Sequence, residues 1–184
     1  IHGGLGRGNV GLVISQPGIG KSAFLIGLAL DDLMQDRKVL HIDTHHTADK
    51  VREYYDEIYN DLAETTQLED RAGVHALIER NRLIHSFCHG SFGMDKLQEH
   101  LDYMREHMGF LPDTIVLDGH PDFESTNEGE IKSIAATAER LNAEIWMAGN
   151  CQPETTGDVL AIPESVAQFS HSLAVIVGLD PMAD

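Results

Sequence analysis

The sequence predicts an α/β fold, a three-layer sandwich in which helices cover both faces of a mainly parallel sheet. Two observations carry that reading. Short apolar runs rich in β-branched residues recur at 10–14, 39–42, 115–117, 145–148 and 173–177, and segments with helical spacing separate them. Strands that are apolar throughout, rather than alternating, belong to a sheet buried on both sides, and their alternation with helices makes that sheet parallel. The chain has 184 residues, 42% of them hydrophobic, enough for one sizeable core and short for two ordinary domains. Residues 1–184 therefore read as one domain.

The elements follow in order. The strand at 10–14 runs into Ser15-Gln16-Pro17-Gly18-Ile19-Gly20-Lys21-Ser22 and then a helix over 21–33. A strand at 39–42 precedes helices over 48–63 and roughly 68–81. The strand expected at 83–88 contains the polar residues His85 and Ser86, which suits a sheet edge better than the centre. The helix over 94–107 places Leu97, Leu101 and Met104 on one face at spacings of four and three, with Lys96, Glu99 and Arg105 elsewhere, so it reads as an amphipathic cover. A strand at 115–117, a helix over 128–141 and a strand at 145–148 come next. A surface loop begins at Pro153, before a last strand at 173–177. No internal repeat or low-complexity linker marks a boundary.

Thirty acidic against thirteen basic side chains give a formal charge of −17. Such a chain repels nucleic acid unless its basic residues gather on one face, and they do not gather in sequence. Nucleic acid is not an expected partner. The start resembles no signal peptide and no run approaches the roughly 20 apolar residues that cross a bilayer, so a cytoplasmic protein without a membrane partner is expected. A first residue other than Met implies a processed chain or a piece of a longer one. Cys88 and Cys151 fit neither a disulfide framework nor a CxxC pair, and two buried thiols are the expectation. Eleven histidines include His41, His45, His46, His85 and His89, without HExxH or paired cysteines. His100 and His107 merely recur seven residues apart on one helix, so a metal site made by protein ligands alone is not expected. Phe87, Phe92 and Tyr103 are expected in the core rather than as base-stacking rings.

Ser15 to Ser22 follows the phosphate-loop pattern G-x-x-x-x-G-K-[ST] at every position but the first, where Ser15 replaces glycine. The candidate nucleotide-binding residues are thus Gln16, Pro17, Gly18, Ile19, Gly20, Lys21, Ser22 and Ala23. Glycines let the chain turn sharply, so that successive N–H groups face phosphate oxygens, and the helix N-terminus adds its positive end. Lys21 would reach the β and γ phosphates, and the Ser22 hydroxyl would ligate Mg²⁺. Asp113-Thr114-Ile115-Val116-Leu117-Asp118 is an apolar strand closing on an acid. At the C-terminal end of a parallel strand, Asp118 faces the same edge as the loop, where it can hold a magnesium-bound water. ATP or ADP with Mg²⁺ are the expected ligands.

Together these residues resemble the RecA-like P-loop ATPase superfamily, nearest to the DnaB-type replicative helicase core and the KaiC-like ATPases. Gly3-Gly4-Leu5-Gly6-Arg7-Gly8 resembles their glycine-rich lead-in, and Ser15 to Ser22 their phosphate loop. The likeness continues at 37–42, 83–107, 113–119 and 165–181, covering most of the chain at low identity, with only the phosphate loop highly specific. It implies an ATP site at the carboxyl edge of a parallel sheet. It also implies a strand with a polar sensor residue between the phosphate-loop strand and the Asp118 strand. Residues 145–150 suit that strand, and Asn150 or Gln152 could contact the γ-phosphate or the attacking water.

Two features depart from the family. Its catalytic glutamate follows the second strand, where this chain has Asp43-Thr44-His45-His46. His45 takes the aligned position, and a neutral imidazole can act as a base near pH 7; Asp43 is the rival. Helicase relatives also carry basic residues beside the last strand that reach a neighbour's γ-phosphate, whereas Val177-Gly178-Leu179-Asp180-Pro181 has none. Arg52 and Arg140 remain as candidates, each read more simply as a solvated helix residue. The expectation is a Mg²⁺-dependent ATPase of low turnover. The alternative is a non-hydrolysing, nucleotide-dependent switch or adaptor, read by a protein partner or working in a homo-oligomer. A DNA helicase or recombinase core comes third, disfavoured by the acidity and the lack of a basic loop. A small-molecule kinase would need an arginine-bearing lid that the sequence does not offer.

Overall fold

The computed structural model describes residues 4–88, 92–150, 154–156 and 159–179. Its strands are β1 (Val10–Ser15), β2 (Val39–Asp43), β3 (Arg82–Ser86), β4 (Thr114–Asp118), β5 (Glu144–Asn150), β6 (Glu154–Thr156), β7 (Val159–Ala161) and β8 (Val175–Gly178). Six of them form one sheet in the order β3-β2-β4-β5-β1-β8, and every neighbouring pair is parallel. This is a three-layer α/β sandwich. One face carries α1 (Lys21–Met34), α2 (Ala48–Thr65) and α3 (Arg71–Asn81), packed on Val13, Val39, Val116 and Ala148. The other carries α4 (Met94–Tyr103) and α5 (Glu128–Leu141), packed on Leu12, Leu40, Leu117 and Met147.

Burial explains why the central strands read as unbroken apolar runs. Every residue of β1, β2 and β4 is buried, whereas β3 and β8, at the two edges, are mostly half-buried. Side chains of β1 alternate, Leu12 and Ile14 to one core and Val13 to the other. Gly11 lies against the Trp146 ring, whose atoms stand 2.7 Å from the place a Cβ would occupy. A larger residue there would displace the indole.

Helix starts are mostly fixed by side chains. Thr47 accepts from Lys50 N at the start of α2, Asp70 from Gly73 N at α3, and Asn127 from Glu130 N at α5. Only α1, among the long helices α1 to α5, has neither a side-chain cap nor an acid in its first turn; α3 lacks the acid but has the cap, and α4 lacks the cap but has Asp95.

Several expectations need correcting. The segment after Pro153 contains an antiparallel hairpin, β6 with β7, and beyond it lie the short helix α6 (Glu164–Ala167) and a 3₁₀ turn at Ser170–Ser172. Three-residue strands are too short to show periodicity. The cover helix expected to 107 leaves α geometry after Tyr103 and continues as a π-type turn, Met104–Met108. Gly109, at φ +59°, ends it, and Phe110 N donates to Met104 O at 3.1 Å, which delivers Phe110 to the core. Tyr103, expected in the core, is 59% exposed. Phe87 and Phe92 are half-buried against the core, and Cys88 is half-buried rather than buried. His89, Cys151 and Gln152 lie outside the described residues. Among the described residues, no helix is long and apolar enough to cross a membrane.

Candidate functional site

The carboxyl ends of β1, β2 and β4 deliver Ser15, Asp43 and Asp118 to one edge of the sheet, with Asp43 directly opposite Asp118 in strand register. β5 lies between β1 and β4, the place that the resemblance gives to a sensor strand. Its last residue, Asn150, pairs in register with Ser15; the Asn150 side chain lies outside the described residues.

The β1–α1 loop turns through Gly18 and Gly20, at φ +84° and +99°. Nothing lies within 4 Å of a Cβ built at either, so backbone shape rather than crowding calls for glycine. Lys21 is buried and its Nζ donates to Ser15 O at 3.3 Å, Ser15 Oγ at 3.2 Å and Gln16 O at 3.3 Å. The Ser15 hydroxyl in turn donates to Gln16 O at 2.8 Å. The residue that departs from the glycine pattern is thereby built into the loop as an acceptor for Lys21.

Ser22, at the start of α1, and Asp118, at the end of β4, line the same cleft, and the Ser22 hydroxyl favours the charged form of the Asp118 carboxyl. Burial pushes the Asp118 carboxyl above the usual range; the Ser22 hydroxyl opposes the rise, Asp43 adds to it, and His46 and His45 oppose it. Asp118 Oδ2 is buried without a hydrogen-bond partner. Buried polar atoms in folded proteins are almost always paired, so this oxygen fits a cation.

The β2–α2 loop is organised around Asp43. Asp43 Oδ1 accepts from His45 N at 2.6 Å and His46 N at 2.7 Å, and Oδ2 lies 3.0 Å from His46 Nδ1. Thr44 Oγ1 donates to Gly119 O at 3.0 Å and stands 3.1 Å from His45 Nδ1. A neutral His45 that donates from Nδ1 to Thr44 would present the lone pair of Nε2. Gly119 has φ +80°, and a Cβ there would strike the His45 ring and the Thr44 hydroxyl. Below this loop His41 is fully buried, with Nδ1 3.0 Å from the Tyr55 hydroxyl and Nε2 unpartnered. Burial pushes the His41 imidazole down to about 4 and the Tyr55 phenol up. The Arg82 guanidinium sits 4.5 Å from the centre of the Tyr55 ring.

A cleft of about 640 Å³ joins the two loops. Pro17, Gly18, Gly20, Lys21, Ser22 and Ala23 line one side, His45, His46, Asp118 and Gly119 the other. The cleft continues between α1 and α2 along Ile26, Tyr54, Glu57, Ile58 and Asp61. Of the residues singled out in the sequence, Gln16, Ile19 and Asp43 do not line it, although Gln16 and Asp43 hold its two loops in shape. Arg52 pairs with Asp49 at 2.9 Å on the surface of α2, and Arg140 donates to Gln98 of α4 on the opposite face of the sheet. The α2 wall was detectable as the recurrence of Tyr54, Ile58 and Asp61 on one helix face. His41 was detectable as the residue two before Asp43, on the same side of a strand. Comparison with protein-family models and with curated proteins gives no match.

Proposed function

We propose that the chain is a Mg²⁺-dependent, ATP-binding P-loop ATPase domain of the RecA-like type, with low turnover. The observation that carries the reading is an unpartnered, buried Asp118 oxygen in the cleft that Ser22 also lines, beside a loop whose lysine is held over it. The order of β1, β5 and β4 and the uncapped start of α1 support it further.

The loop from Gln16 to Ala23 receives the phosphates. Lys21 bonds to neutral oxygens of its own loop, and a phosphate oxygen is the stronger acceptor, so the ammonium turns to the β and γ phosphates when nucleotide enters. Ser22 and Asp118 hold Mg²⁺, which when bound neutralises charge on the phosphate oxygens. His45 Nε2 takes the proton from water as the water oxygen attacks the γ-phosphorus and the bond to the β-phosphate oxygen breaks. The products are ADP and phosphate. Asp43 orders the loop that carries His45, and Asn150 ends the strand beside Ser15.

A second reading, a nucleotide-dependent switch with negligible turnover and a protein partner or a second copy to read it, is favoured by one observation. The only carboxylate in the β2–α2 loop, Asp43, is engaged by two N–H groups and a ring. A helicase or recombinase core has the charge of −17 against it. Phosphate release from Mg·ATP separates these readings. The ATPase releases phosphate and loses that activity in Lys21→Ala, and an unchanged rate in the variant removes it. Tight binding without release assigns the switch, and no binding of ATP or ADP at sub-millimolar nucleotide removes both. DNA retained at physiological salt would restore the helicase.

A further inference from the structure

We propose that His41, Asp43 and Asp118 form a binding site for a borderline transition-metal dication of the zinc and cobalt class. The site goes beyond the ATPase reading and does not require it; the two share Asp118, which that reading gives to Mg²⁺, and Asp43, which orders the loop that carries His45. One ligand atom from each residue lies within 4.8 Å of the other two. The residues are 0%, 1% and 7% exposed. Two of their atoms, His41 Nε2 and Asp118 Oδ2, are buried without partners. Two orphaned atoms of one small group point to a single missing partner common to both.

The chemistry of the donors selects the ion. Two carboxylates balance a dication, and an imidazole nitrogen favours zinc or cobalt over magnesium, which takes oxygen ligands. In a tetrahedral shell with bonds near 2.1 Å the donors stand about 3.4 Å apart, so this group needs only modest side-chain adjustment. Its supports are also in place. A metal-bound histidine is normally oriented by a hydrogen bond at its other ring nitrogen, as Tyr55 provides at His41 Nδ1. Asp43 is oriented by the His45 and His46 amides. Asp118 lines the cleft and gives the ion a way in. The other three-residue group among the described residues, Asp56, His75 and Glu79, has no such orphaned atom, because His75 meets Asp56 and Glu79 meets Arg82.

The test is titration of EDTA-treated, dialysed protein with Co²⁺ in the absence of nucleotide. The expected result is one equivalent bound, with the visible absorption of a low-symmetry, four-coordinate Co²⁺, abolished by Zn²⁺. Lys21→Ala, which removes the phosphate contact, leaves that titration unchanged. Tyr55→Phe weakens it about 10- to 100-fold, and His41→Gln abolishes it; circular dichroism verifies each fold, and if His41→Gln does not fold, Tyr55→Phe decides. No Co²⁺ spectrum and no Zn²⁺ heat up to millimolar metal overturns the proposal, as does binding unaltered in Tyr55→Phe or His41→Gln. Mg·ATP binding measured on the same sample keeps the two readings apart, since either can fail while the other holds.

Discussion

Two loops leave the same edge of the sheet and are built in opposite ways. The β1–α1 loop takes its shape from glycines at positive φ and from Lys21 donating to loop oxygens, and it enters a helix with no side-chain cap and no first-turn acid. The β2–α2 loop takes its shape from Asp43, whose carboxylate accepts from its amides, and it enters a helix capped by Thr47 with Asp49 in the first turn. An open helix start leaves its positive end free of any anion of its own, which suits the phosphates of the proposed function. A closed one holds a side chain steady, here His45. Under the proposed function, the first loop would serve binding and the second whatever is done to the bound molecule.

Each part of that contrast can be broken. The largest effect is expected at His45. His45→Ala should lower phosphate release by about 10²- to 10⁴-fold, the range for a general base, with ATP affinity unchanged by calorimetry. A variant as active as the parent would reduce the second loop to scaffolding.

The next effect is in stability, beneath the same loop. With EDTA present, neither folded nor unfolded chain protonates His41 above pH 6.5, whereas between 6.5 and about 4 only the unfolded chain takes the proton. Acid therefore draws the equilibrium towards unfolding, by about 3 kcal/mol across that window. Asp118, raised by burial, works in the opposite sense as it protonates, so the comparison with His41→Gln carries the measurement. Urea unfolding at pH 7 and pH 4.5 should show a steeper loss in the parent than in the variant, and equal slopes would mean that His41 is not the group involved.

Smaller effects compare the helix starts directly. Thr47→Ala should cost about 1 kcal/mol in thermal unfolding and leave nucleotide binding intact. Ala23→Glu places an anion in the first turn of α1, on a residue that lines the cleft. It should stabilise the fold by about 0.3–1 kcal/mol while abolishing nucleotide binding. Retained binding in Ala23→Glu would show that the open start of α1 is not a phosphate site.

The first loop was legible because everything that shapes it is local in the chain: strand, glycines, lysine, helix. The helix α5 was read to its correct ends, 128–141, for the same reason, with Asn127 as cap, Asn142 in the left-handed region and Ile131, Ile134 and Ala138 on one face. The second loop was legible only as a pair of candidates. Asp43 and His45 are two residues apart, and only the hydrogen bonds show which of them faces the cleft and which holds the backbone. The meeting of His41, Asp43 and Asp118 depends on the register of β2 against β4, a long-range fact without a local pattern. The hairpin β6–β7 escaped because its strands are three residues long.

The most direct test of the central claim is calorimetric titration of the full chain with ATP, with and without Mg²⁺, in the parent and in Lys21→Ala. The account predicts sub-millimolar binding that Mg²⁺ strengthens in the parent and that is lost in Lys21→Ala. Absence of binding in the parent, or binding of equal strength in the variant, would contradict it.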